Sequence, residues 1–102
     1  MASRLKLHEE LKTLLGSSNV YFQPPESVKI NYPCIVYERG TGTTKFAGDK
    51  PYTFVNRYDV TIIDKNPDSE IVERMSSHFP MCIYDRHFVS DNLNHDTFKL
   101  YY

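Results

Sequence analysis

Tryptophan is absent from this chain, cysteine occurs only twice and glycine four times, and the charges nearly cancel, with 12 Lys and Arg against 13 Asp and Glu for a formal net charge of -1. Each shortage excludes something. Two cysteines, Cys34 and Cys82, far apart and flanked by apolar residues, make neither a disulfide framework nor a paired zinc motif, and they read as reduced, buried small hydrophobes. The balanced charge shows no basic stripe, which argues against nucleic acid recognition, since that draws on counterion release by an excess of Lys and Arg. No apolar run approaches the ~20 residues of a membrane-spanning helix, and residues 1–16 are too charged for a signal peptide. A soluble protein made inside the cell, with no membrane partner, is the expectation.

What is present suits one small domain over residues 1–102. The chain has 102 residues, 40% of them hydrophobic and 25% charged, enough to bury roughly two-thirds of its unfolded surface without a disulfide or metal staple. Eight Tyr and six Phe stand in a sequence whose mean hydropathy is only -0.50. Tyrosine at this density fits a mixed core or a surface that faces another protein, because its ring buries area while its hydroxyl tolerates water.

Leu7, Leu11, Leu14 and Leu15 recur at helical spacing, predicting an amphipathic helix from Ser3, as N-cap, to Leu15, with Gly16 as the left-handed stop. Val20–Phe22 reads as a short edge strand ended by Pro24 and Pro25. Cys34–Arg39 opens with a nearly continuous apolar run and reads as the central strand. From Gly40 to Tyr52 three glycines and a proline interrupt any periodicity, so a long connecting loop is expected. Thr53–Ile63 alternates, with Phe54, Tyr58, Val60 and Ile62 on one face and Arg57, Asp59 and Thr61 on the other. Asn66 as cap with Pro67 in the first turn then starts a helix reaching His78, with Ile71, Val72, Met75 and Phe79 in one stripe. Met81–Val89, a polar turn over Ser90–Asn94, and His95–Tyr102 form a hairpin. The sum is an α+β fold: a mostly antiparallel sheet of four to five strands with two helices packed on it, in the order α-β-β-β-α-β-β.

The candidates for chemistry are sparse. His78, Cys82, Asp85, His87, His95 and Asp96 could supply metal ligands, with Asp85 and His87 sharing a strand face, but their spacing matches no metal signature. Neither cysteine has an adjacent base, no Gly-x-Ser-x-Gly elbow occurs, and Gly40-Thr41-Gly42 lacks the Gly-Lys-Ser/Thr of a phosphate loop. No catalytic, cofactor-binding or metal set therefore emerges, and the expectation is a protein that binds and is not an enzyme. The candidate interface comprises Lys45, Phe46, Asp49, Lys50 and Tyr52 in the glycine-bounded segment, with Arg57, Asp59, Asp85 and Arg86 on the strands, a mixture of both charges and aromatics that suits docking to protein. Tyr101 and Tyr102 either complete the last strand against the sheet, the favoured reading, or reach a neighbouring subunit.

Six segments in order, Leu5–Leu11, Asn19–Ser27, Tyr32-Pro33, Arg57–Thr61, Ile63–Ser69 and Asp91–Asp96, give the chain a resemblance to the tail terminator, or tail-completion, family of long-tailed bacteriophages and prophages of Gram-positive hosts. The resemblance spans Leu5 to Tyr102. It implies a viral structural protein that forms a ring, a hexamer on the tail, stops addition of tail tube protein and presents the surface for head-tail joining. Its partners would then be itself, the tail tube protein and a head-completion or neck protein, and its place the tail-head junction of the virion after synthesis in the host cytoplasm. The family has no invariant functional motif to transfer to single residues here. A head-closure protein is the nearest alternative, and a small metal-dependent hydrolase using the histidines is the alternative from another class.

Overall fold

The computed structural model describes residues 4–24, 29–40, 43–47, 50–55 and 57–102. Helix α1 (Arg4–Leu15) is followed by strands β1 (Val20–Phe22), β2 (Cys34–Arg39), β3 (Thr43–Ala47), β4 (Lys50–Val55) and β5 (Arg57–Asp64), then α2 (Glu70–His78) and strands β6 (Cys82–Ser90) and β7 (Leu93–Tyr101). Five strands form one sheet in the order β1-β2-β5-β7-β6, while β3 and β4 pair separately as a two-stranded ribbon. All neighbours in the main sheet are antiparallel except β1 and β2. The fold is α+β, and its main body follows the order α-β-β-β-α-β-β with the ribbon inserted between β2 and β5.

One face of the sheet carries the core. In register across the strands, Val20, Ile35, Ile62 and Asp96 form one row and Phe22, Tyr37, Val60 and Phe98 the next, with Tyr58 opposite Leu100 beyond them. Leu7, Leu11, Leu14 and Leu15 of α1 and Ile71 and Met75 of α2 close over these residues in one buried cluster. Both helices therefore lie against the same face. The side chains of Leu7, Leu11, Tyr37, Val60 and Leu100 are completely buried, each such burial stabilising by roughly 1.5–3 kcal/mol against exposure. Tyr37 is buried without loss because its hydroxyl lies 2.7 Å from His8 Nδ1 and accepts from Arg4 Nη1 at 3.3 Å. The last residue is fastened as expected: the Tyr102 hydroxyl donates to Glu10, which also meets His78 Nε2 at 3.3 Å.

Several boundaries differ from the sequence reading. Ser3 lies outside the described residues, although Gly16 stops α1 as expected, at a φ of 81° and with its amide on the Lys12 carbonyl at 2.9 Å. The cap of α2 is Ser69, whose hydroxyl accepts from the Ile71 amide. Asn66 instead organises the approach, accepting from the Asp68 amide while its own amide donates to Asp64, so its preference for local backbone bonding is spent one turn early. The central strand is β5, not β2, because β1 and β2 both lie to one side of it. The predicted strand Thr53–Ile63 divides, with Thr53–Val55 belonging to β4 and β5 beginning at Arg57. Alternation alone cannot register a change of partner strand. The expected loop over Gly40–Tyr52 contains β3 and the start of β4, and Pro51 fits there because the ribbon register shifts between Lys45 and Phe46, an irregularity of the kind that accommodates proline. The closing hairpin turns tightly through Asp91 and Asn92, with φ values of 52° and 61°, conformations that Asp and Asn tolerate.

Candidate functional site

Among the described residues, the face of the sheet opposite the helices is polar and partly exposed, apart from Cys34 and Ile63, which are buried at one end of it. Successive side chains alternate between faces, so the strands that bury Tyr37, Val60 and Phe98 present Glu38, Asp59 and Lys99 on the other side. The register places Glu38 beside Asp59 and Asp59 beside Lys99, with Ile83 next to Lys99. The neighbouring row runs Val36, Thr61, Thr97 and Arg86. A shallow groove along this face is lined by Glu38, Asp59 and Asp85 and by Arg57, Arg86 and Lys99, with Phe88 at one end. Three acids and three bases thus share one surface. Its charge is mixed and nearly balanced, unlike the basic stripe that tracks a phosphate backbone.

Arg57 and Asp59, two positions apart on β5, face each other with Nε and Oδ1 separated by 3.4 Å. The guanidinium is packed against backbone: a Cβ built on Gly40 would fall 2.7 Å from Arg57 Nε and 3.1 Å from Asp59 Oδ2. The Gly40 amide also donates to the Arg57 carbonyl at 2.7 Å. Gly40 thus lets the Arg57 guanidinium lie close to the backbone, and a Cβ there would push that movable end aside. Arg57 Nε is buried with no hydrogen-bond acceptor of good geometry among the described residues.

Asp85 and Arg86 are positioned by a β-bulge. Tyr84 lies opposite Phe98 and Arg86 opposite Thr97, so Asp85 is an extra residue in β6. The Thr97 hydroxyl secures it, accepting from the Arg86 amide at 3.2 Å and lying 3.3 Å from Asp85 Oδ2 and from the Arg86 carbonyl. Beyond the bulge, the Arg86 guanidinium sits over the Phe88 ring at 5.2 Å, and that ring stacks on His95 at 4.7 Å and 9°. The charged pair is held by defined neighbours on its own face.

No protein family matches the chain, and no curated protein matches it. The site therefore rests on its own geometry.

Of the nine candidate interface residues, the structure brings four together: Arg57, Asp59, Asp85 and Arg86 line the same groove. Lys45 and Phe46 fall on β3, and Lys50 and Tyr52 on β4, with their side chains outside the description. Asp49 lies outside the described residues. The two groups belong to different sheets.

The metal candidates are dispersed. His78 sits beside Glu10 at the end of α2, and His87 meets Asn94 Oδ1 at 3.0 Å. Asp85 and His87 do not share a face: Asp85 reaches Thr97, whereas His87 lies opposite Asp96 on the helix side, because the extra residue at the bulge resets the alternation. Asp96 itself is buried and accepts from the Tyr84 hydroxyl at 2.7 Å. Among the described residues, no group of three or more His, Cys, Asp or Glu side chains is arranged to hold a metal ion. Cys34 is buried and Cys82, expected to be buried too, is half-buried; burial pushes the Cys34 thiol up to about 12 and the Cys82 thiol up to about 11, which disfavours the thiolate of each at neutral pH. Among the described residues, no helix is long and apolar enough to cross a membrane.

Sequence reasoning missed Thr97, Lys99 and Glu38 as parts of the groove and Gly40 as the residue beside the Arg57 guanidinium. The alternation that placed Arg57 and Asp59 on one face also carried a signal for Thr97 and Lys99, two apart on β7. Finding them required the β5 to β7 register.

Proposed function

We propose that this chain is a virion structural protein that caps the end of a phage tail tube as a ring, ends tube polymerisation and provides the surface for head attachment. The observation that carries this reading is the sheet face away from the helices, where Arg57, Asp59, Asp85 and Arg86 converge with Glu38 and Lys99 in a groove of mixed charge. Such a mixed-charge surface suits docking to another protein. The ribbon of β3 and β4 supplies a second element, a two-stranded sheet separate from the main one. A head-to-tail ring needs two different complementary patches on each subunit, and a charged groove and a separate ribbon meet that requirement. The hexameric stoichiometry, the tail tube protein and the neck protein come from the family resemblance of the six ordered segments.

The test is electron microscopy of particles from a phage carrying this gene and from the same phage with the gene deleted. Tails of abnormal length, unattached to DNA-filled heads, are the expected phenotype. Tails of normal length beside emptied heads would replace the proposal with head closure, and normal infectious particles would refute a structural role in the virion.

A further inference from the structure

Strand β6 is an edge with an unusual composition. It is nine residues long, ends the sheet, and exposes Ile83 (57%), Tyr84 (45%), Phe88 (38%) and Val89 (61%). Edge strands are ordinarily blunted by short length, charged side chains, Pro or a bulge. β6 is long and has no Pro, and its charges, Asp85 and Arg86, sit at the bulge in its middle, with exposed apolar residues on both sides.

We infer that the free protein pairs with a second copy of itself through β6, antiparallel and about a two-fold axis that passes between Asp85 and Arg86. The argument is one of register. A two-fold axis perpendicular to the sheet keeps each residue on its own face, so residues brought opposite one another must come from the same face. In a regular strand this rules out pairing about a point between two residues, because partners would differ in parity. The bulge removes that restriction. Cys82 and Tyr84 lie opposite Leu100 and Phe98 on the helix side, and His87 and Val89 lie on that same side after the bulge, opposite Asp96 and Asn94. Ile83, Arg86 and Phe88 lie on the side away from the helices, opposite Lys99, Thr97 and His95. Folding the strand onto itself about the point between Asp85 and Arg86 sets Tyr84 against His87 of the second copy, Ile83 against Phe88, and Cys82 against Val89. Every pair matches in face.

At the axis, Asp85 meets Arg86 of the second copy, and Arg86 meets its Asp85. Two opposite-charge pairs thus form at the centre, flanked by an apolar pair on each side, and cross-strand pairs of both kinds are stabilising. Both charged side chains are already held on the face away from the helices, Asp85 by Thr97 and Arg86 over Phe88. A regular strand docking on this edge would match faces on one side of the bulge and mismatch them on the other, whereas an identical bulged strand matches on both. The bulge selects for a second copy. An isologous pair of this kind closes on itself, and it covers the Asp85 and Arg86 pair that the groove otherwise presents, so it would have to part before those residues met another partner. The inference stands on the edge geometry and does not depend on the virion reading.

The test uses the full chain. Sedimentation equilibrium should give twice the mass of 11.9 kDa at micromolar concentration. Asp85→Arg alone and Arg86→Asp alone should each set like charges at the axis and shift the protein to monomer, while the double exchange Asp85→Arg with Arg86→Asp should restore the dimer. Circular dichroism of each variant separates loss of pairing from loss of fold. The register is read by mild oxidation of the double variant Ile83→Cys with Phe88→Cys, which should give a disulfide-linked dimer. Ile83→Cys alone should not cross-link through position 83, since its copies lie about five residues apart, roughly 17 Å, along the paired strands. A monomer at every concentration, a dimer indifferent to the single charge reversals, a folded charge-exchanged double variant that stays monomeric, cross-linking by Ile83→Cys alone through position 83, or a six-copy ring in free solution would each overturn the proposal.

Discussion

Replacing Tyr37 by Phe isolates one hydroxyl at the centre of the core. The ring is completely buried and stays in place, packed at 4.9 Å from Phe22 and 6.0 Å from Tyr58, so no cavity opens. The hydroxyl accepts from Arg4 Nη1 at 3.3 Å, and its own proton is best used on His8 Nδ1 at 2.7 Å. His8 is partly exposed, and water takes over part of what it loses, so the net cost is that of an ordinary hydrogen bond, about 1 kcal/mol. For a domain of this size that is a fall in Tm of roughly 4–8 °C. The stability of both proteins should depend on pH. Burial first, then the charges of Arg4 and Lys12, hold the His8 imidazole below its ordinary 6.5. Just below pH 6.5 the unfolded chain therefore binds more protons than the folded one, and wild-type stability falls as pH falls through the window from 6.5 down to the lowered folded value. Once His8 is protonated, Nδ1 donates instead, and the hydroxyl oxygen can accept from it as it does from Arg4, so the contact survives with its direction reversed. Urea unfolding of both proteins should give a difference of about 1 kcal/mol at pH 8, with both proteins losing stability as His8 titrates. No difference at pH 8, or one above about 3 kcal/mol, would refute the assignment of that cost to the hydroxyl.

Other outcomes follow from the same geometry. Phe98→Ala removes a buried ring lying between Val60 and Tyr84 in register and should cost about 3–5 kcal/mol, read by denaturant unfolding; a loss below about 1 kcal/mol would mean that the site collapses freely. Cys34, completely buried and pushed up to about 12, should react more slowly than the half-buried Cys82 with a thiol reagent at pH 8 in the native protein, and both should react promptly in denaturant; fast labelling of native Cys34 would contradict its burial. Lys45→Glu with Lys50→Glu should abolish attachment to tail ends without lowering Tm, and intact attachment would remove the ribbon from that contact.

The sequence showed most where burial imposes a period. Leu7, Leu11, Leu14 and Leu15, the stripe from Ile71 to Phe79, and Tyr58, Val60 and Ile62 all face the core as their spacing predicts. It showed least where the decisive contact is between strands distant in the chain. Nothing in Cys34–Arg39 says that β5, and not β2, lies at the middle of the sheet. The ribbon was hidden because glycines and Pro51 mask the β-prone Thr43-Thr44 and Tyr52–Val55 on either side. Half of the groove was legible because Arg57 and Asp59 share a parity on a clear strand. The metal cluster failed for the opposite reason: one extra residue, Asp85, inverts the parity of everything after it in β6, and no local pattern announces a bulge.

The bond from the Gly40 amide to the Arg57 carbonyl, 2.7 Å long, and the pairing of Arg39 with Tyr58 beside it hold the two ends of the ribbon segment at the spacing of adjacent strands. For the sheet, everything between residues 40 and 57 is equivalent to a short turn. A change in the length of that segment can then leave the register of β2 against β5 where it is, because the clamp at Gly40 and Arg57 joins the strands on its own.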